Sequence, residues 1–325
     1  MAQPVKILFG GAVFMDASWL PKGNDSIREI LDILERKGVR SIDTARLYRE
    51  SEELLGQVHS SNRFNIDTKL LGGFAPEPTT KESVIESGEL SLRLLQTNRV
   101  DTYYIHSPDR RSKTEDVLAG INALYEAGKF NRFGLSNFLA SEVDDVVRIC
   151  REKGYILPTV YQGNYSAVAR HAETQTLPTL RKYGIAFYAY SPIAGGFLTK
   201  DVETMLAGGE GRWDPNIPLG ALYTSLYNKP QMLEGLRLWE KIAVDTGIPK
   251  GELAYRWVAY NSALKSELGD GMIVGSRNPE QLTQTLEWIE KGVLSPGIAA
   301  QVEQVWKKVE EAAPLDNFND YLGKV

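Results

Sequence analysis

Short apolar runs alternate along this chain with longer segments whose apolar residues recur every three to four positions. The strand-like runs are VKILFGGAV from Val5, SIDTA from Ser41, NIDTKL from Asn65, VDTYYIHS from Val100, NRFGLSN from Asn131, LPTVYQGNY from Leu157, IAFYAYS from Ile185 and GMIVGS from Gly271. Between them, stretches such as SIREILDILERKG from Ser26 and TEDVLAGINALYEAG from Thr114 carry the helical period. Gly38, Gly128, Gly154, Gly184, Gly247 and Gly292 stand where those helices should end, glycine being the residue that enters a left-handed C-cap without penalty. Eight strand-helix units predict an α/β fold, a (β/α)8 TIM barrel, with an extra helix before strand eight and a C-terminal helix over 297–312. A doubly wound sheet, the competing architecture, usually opens with G-x-G-x-x-G after its first strand, and FGGAVFM lacks that turn. No linker or shift of composition divides the chain, so residues 1–325 read as a single barrel domain.

In such a barrel the C-terminal strand ends form the active face. Asp43 and Tyr48 follow strand two, Lys69 ends strand three and His106 ends strand four, so an acid, a phenol, an amine and an imidazole should converge there. Singly, each has an ordinary structural explanation. Together they make a proton-transfer set: a phenol of pKa about 10 is a poor acid near neutrality, a neighbouring ammonium stabilises its anion, and a carboxylate holds that ammonium in place. Tyr48 then serves as general acid, and His106 donates to a carbonyl oxygen and orients it.

Composition narrows the alternatives. The net charge of −5 among 325 residues argues against nucleic acid or an anionic membrane as partner. MAQPVKILF is not a signal sequence and no apolar run approaches the roughly 20 residues of a membrane span, so a soluble cytoplasmic protein is expected. The single cysteine, Cys150, lies at helical spacing from Val143, Val146 and Val147 and reads as a core thiol. His59, His106 and His171 are the only histidines and show no zinc-binding spacing, so no metal is expected; His59 and His171 read as exposed.

The tetrad spacing, with GLSN at 134–137, YQGNY at 161–165 and YSPIAGG at 190–196, resembles the aldo-keto reductase superfamily. ILPTVYQGNYSAVARHAET and GIAFYAYSPIAGGFLT are similar to its aflatoxin-aldehyde reductase branch. The resemblance implies NADPH-dependent reduction of a small-molecule carbonyl substrate, an aldehyde or ketone, by an enzyme without metal. Relatives of the branch include dimers, so a homodimer is an expectation too. Two other readings stay open: a tailoring oxidoreductase of one biosynthetic pathway, and a non-catalytic NADP-sensing subunit.

The residues themselves suggest where a nucleotide would lie. Asn278 is a natural N-cap with Pro279 behind it, and Arg277 offers a guanidinium fork to a phosphate at that helix start. The resemblance implies Ser276, Arg277, Gln281 and Gln284 as contacts to the adenosine 2′-phosphate end of NADPH, with Arg212 as a second arginine. It implies Tyr190 as the nicotinamide platform and Ser136, Asn137 and Gln162 as readers of the carboxamide. The loop from Ser191 to Thr199, including Pro192, Gly195, Gly196 and Leu198, would pass the pyrophosphate, its glycines permitting close approach. Residues 200–229 read as one long loop closing over the site. Within it Tyr223 matches a substrate-contacting tyrosine of the branch and Trp213 is expected beside it. Leu226 stands where the branch has an arginine, and the closing DNFNDYLGKV supplies no arginine. Carboxylated aldehydes thus lack an anchor, and neutral or aromatic aldehydes are expected instead.

Overall fold

Eight short parallel strands whose side chains alternate between two apolar layers organise the molecule. A computed structural model describes residues 3–207, 213–214, 216 and 218–320. The strands are β1 (Lys6–Gly10), β2 (Ser41–Asp43), β3 (Asn65–Leu70), β4 (Val100–Ile105), β5 (Phe130–Ser136), β6 (Pro158–Asn164), β7 (Ala186–Tyr190) and β8 (Gly271–Val274), and they pair in that order into a closed barrel. Closure is made by β1 against β8, in the register Lys6 to Gly271 through Phe9 to Val274.

Leu8, Tyr104, Val160, Tyr188 and Ile273 fill the barrel. Their strand neighbours Phe9, Phe133 and Phe187 face outward into the larger core shared with the helices. The interior is tight: a Cβ on Gly134 would lie 2.3 Å from Cδ1 of Tyr104, so glycine is what lets that ring cross the barrel.

The helical layer begins with α1 (Asn24–Arg36), α2 (Ser51–Gln57), α3 (Lys81–Leu94), α4 (Thr114–Glu126) and α5 (Ala140–Lys153). It continues with α6 (Ala172–Gln175) and α7 (Leu177–Tyr183), then α8 (Val202–Leu206) and α9 (Pro218–Tyr227). The extra helix expected before β8 is present as α10 (Pro230–Thr246) followed by α11 (Lys250–Arg256), which ends in a π turn over Trp257–Asn261. Behind β8 come α12 (Pro279–Glu290) and the C-terminal α13 (Pro296–Val309). All six glycines expected to end helices have positive φ.

Two local expectations are refined. Residues 200–229 are not one loop, because α8 and α9 occupy much of them. His171 is half-buried with its ring 5.3 Å from that of Trp306, whereas His59 is exposed. Cys150 is buried on α5, and that burial pushes its thiol up to about 12. No helix among the described residues is long and apolar enough to cross a membrane.

Candidate active site

Inward positions at the C-terminal ends of the strands carry the polar residues. Lys69 is wholly buried, and its Nζ donates to both oxygens of Asp43, each at 2.7 Å, and to the carbonyl of Thr44 at 2.8 Å. Gln162 Nε2 adds a bond to Asp43 Oδ1 at 2.7 Å. With three acceptors the ammonium has little rotational freedom, and it is aimed across the ring of Tyr48, 5.3 Å from the centroid. Tyr48 itself lies on a short 3-10 turn, Arg46–Tyr48, that directly follows β2.

The His106 ring meets that of Tyr48 edge-on at 5.8 Å and that of Phe74 at 5.0 Å. Burial first, and the charge of Lys69 second, hold its pKa well below the usual imidazole value. His106 is therefore neutral near neutral pH and can donate one N–H to a carbonyl oxygen without carrying a proton it would readily lose.

A hydrogen-bonded relay continues from there. Asn137 Nδ2 donates to the His106 carbonyl at 2.9 Å, and the Tyr190 hydroxyl donates to Asn137 Oδ1 at 2.8 Å. Asn137 has φ +62°, a left-handed conformation tolerated by asparagine more than by most residues. The turn after α13 braces this pair: the Asn317 amide donates to the Tyr190 hydroxyl at 3.3 Å and Asn319 Nδ2 to the Asn137 carbonyl at 3.0 Å.

Above these groups opens a cavity of about 830 Å³. Asp43, Tyr48, His106, Ser136, Asn137, Gln162, Tyr190, Ser191, Pro192, Gly195, Gly196, Trp213, Tyr223, Ser276, Arg277 and Gln281 all line it, and Lys69 lies beneath its floor. Besides Lys69, three described residues named from the sequence do not line it. Leu198 and Leu226 are buried in the core, and Gln284 is exposed on α12. Arg212 lies outside the described residues.

The β7 loop is shaped by glycine. A Cβ on Gly195, at φ +64°, would come within 2.3 Å of the Tyr223 ring, and Trp213 Nε1 donates to the Gly195 carbonyl at 3.1 Å. Trp213 stacks on Tyr223 at 5.5 Å, and Tyr227 continues the aromatic pile to Phe197 at 5.4 Å. That pile fastens Trp213 and α9 onto the loop.

At the start of α12, Asn278 caps Gln281 N at 2.8 Å, as its position suggests, with Pro279 in the first turn. Gln281 Oε1 in turn accepts from the Arg277 amide at 2.8 Å. The amides the turn might offer an anion are thus largely engaged, so the exposed Arg277 guanidinium is the group available to grip one.

Reading the sequence passed over several lining residues. Met15, Trp19, Leu47 and Phe74 come from irregular turns after β1, β2 and β3, where no periodicity marks them; apolar residues on the C-terminal side of a barrel strand were the available signal. Thr285 and Trp288 line the cavity in place of Gln284. Their spacing from Gln281, four and seven residues, marks one helix face and was legible in principle.

A family model described as the aldo/keto reductase family matches residues 6–307. "Oxidoreductase sirO" of Leptosphaeria maculans is 42% identical over 88% of this chain and 87% of its own length. "Aldo-keto reductase family 7 member A3" of Homo sapiens is 38% identical over 86% of this chain and 88% of its own. "Aflatoxin B1 aldehyde reductase member 4" of Homo sapiens is 36% identical over the same two shares, 86% and 88%.

Proposed function

The chain belongs to the aldo/keto reductase family, and from that premise we propose that it reduces neutral, including aromatic, aldehydes or ketones to alcohols with NADPH, Tyr48 supplying the proton. Family membership makes it an oxidoreductase of small carbonyl compounds; the cofactor, the proton donor and the substrate type are the proposal.

One arrangement carries it: Lys69, clamped by both oxygens of Asp43 at 2.7 Å, lies 5.3 Å from the centre of the Tyr48 ring at the floor of a cavity with room for nucleotide and substrate together. A bound nicotinamide would supply the hydride. Tyr190, its hydroxyl fixed by Asn137 and Asn317, would offer a ring face, with Ser136, Asn137 and Gln162 as the polar groups beside it. Ser191, Pro192, Gly195 and Gly196 would border the pyrophosphate, and Ser276, Arg277 and Gln281 the 2′-phosphate.

His106 orients the carbonyl oxygen towards Tyr48. As negative charge develops on that oxygen, Tyr48 transfers its proton, and the Lys69 ammonium offsets the phenolate left behind. Asp43 holds Lys69 in place. On the side of β1 to β3, Trp19, Leu47 and Phe74 present apolar surface to the substrate. Arg110 and Arg111, the nearest arginines to His106 in sequence, are engaged elsewhere: Arg110 with Glu142 and Asn319, Arg111 with Asp109 and the carbonyls of Ala75, Pro76 and Glu77. Neither lines the cavity.

Multiple-turnover consumption of NADPH with a panel of aldehydes tests the proposal. Stoichiometric NADPH binding without turnover on any of them would favour a sensing role.

A further inference from the structure

The β7–β8 side of the cavity ends in a recess that the reduction chemistry does not use. One wall is the α12 face carrying Gln281, Thr285 and Trp288, and the other is Gly251 and Tyr255 of α11. Trp288 is half-buried, and a Cβ on Gly251 would lie 2.9 Å from its Cζ3, so the benzo edge of the indole rests directly on backbone that only glycine leaves open. Helical side chains tilt towards the N-terminus, so Trp288 reaches back over the turn of Thr285, towards Arg277 rather than away from it.

We infer that Trp288, seated on Gly251, is the platform on which the adenine ring of the cofactor packs. The inference rests on the NADPH reading above. The adenosine ribose bears three large substituents: a 2′-phosphate, a 5′-pyrophosphate and the base. Arg277 meets the first and the Ser191 to Gly196 loop borders the second. The base must then occupy the remaining space beside Arg277, which is this recess, and a flat indole is the surface a purine face prefers. Thr285 places a hydroxyl-bearing side chain on the same wall.

The test uses 2′,5′-ADP, which carries the base and the 2′-phosphate but no nicotinamide, with calorimetry and tryptophan fluorescence on the intact protein. Wild type binds it with quenching of indole emission. Trp288→Leu, which keeps apolar bulk against Gly251 but removes the π face, weakens 2′,5′-ADP, NADPH and NADH alike by roughly 5- to 100-fold, the usual effect of losing one base-aromatic stack. Trp288→Phe restores most of the affinity while abolishing most of the quench. Arg277→Ala, by contrast, weakens only the two ligands with a 2′-phosphate. If Trp288→Leu binds NADPH as tightly as wild type, the adenine assignment is overturned and the cofactor reading survives. If wild type binds neither NADPH nor 2′,5′-ADP, both fall together.

Discussion

Asp67 and Lys69 point to the same side of β3, yet among the described residues only Lys69 of the two forms an ion pair. Neither oxygen of the wholly buried Asp67 finds a hydrogen-bond partner among the described residues. Burial, opposed by Arg132 and reinforced by Asp43, pushes the Asp67 carboxyl from 3.8 up to about 7. In the native protein Asp67 thus keeps its proton across a window, from about pH 4 to 7, in which the unfolded chain has lost it. The stability gained from this group is present below pH 4 and is lost as pH rises through 7. Asp67→Asn should therefore match wild type near pH 4 and exceed it increasingly up to pH 8, by at most on the order of 4 kcal/mol. Denaturant titrations at both pH values check this; an advantage independent of pH would assign the effect to packing.

Tyr48→Phe keeps the ring against His106 and removes the hydroxyl. Carbonyl reduction should fall by roughly 10²–10⁴-fold while NADPH affinity barely changes. Near-normal turnover in the variant would remove Tyr48 from the proton-donor role.

Arg277→Ala should weaken NADPH by on the order of 1.5–3 kcal/mol, the range for a hydrogen bond to a charged group, and leave NADH nearly unchanged. The two dissociation constants, measured side by side, decide it. Equal losses would make Arg277 a structural residue of the α12 turn.

Gly195→Ala places a methyl group against the Tyr223 ring at a left-handed backbone position. Displacing that ring unseats Trp213 as well, at a cost of roughly 1–3 kcal/mol. Thermal unfolding should report the loss, and KM for both cofactor and carbonyl should rise because one loop borders both.

An aldehyde with a distal carboxylate should be a poorer substrate than an uncharged aryl aldehyde of similar length, since the wall from Trp19 to Phe74 offers it no cation among the described residues. Installing an anchor at the mouth, by Trp19→Arg, should raise kcat/KM for the carboxylated aldehyde relative to the neutral one. Leu226→Arg should not, because Leu226 is 1% exposed and the charge would be buried. A wild-type preference for the charged substrate would overturn this picture of the wall.

The barrel was legible because its period-2 and period-3.6 patterns are strong and six helix ends carry a glycine. The tetrad was legible because the strand ends that hold it are themselves marked by apolar runs. Leu226, Leu198 and Gln284 show what one chain of letters leaves open. Whether a residue faces a cavity or a core depends on a rotation of about 100° per helical position, which tertiary packing sets. Trp19, Leu47 and Phe74 escaped for another reason: they sit on irregular turns, whose shape is decided by what they pack against. The α8 and α9 helices were hidden by the Gly- and Pro-rich composition around them.

The bonds from Asn317 and Asn319 to Tyr190 and Asn137 have a consequence for how the protein is made. Translation releases residues in order, and domains acquire structure as the chain emerges. When α12 itself has cleared the ribosome every strand and all four tetrad residues are already outside it, yet Asn137 and Tyr190 still lack the turn that braces them. A chain truncated before residue 317 should therefore close its barrel but hold the wall formed by Asn137 and Tyr190 loosely, so that nucleotide affinity falls further than protease resistance.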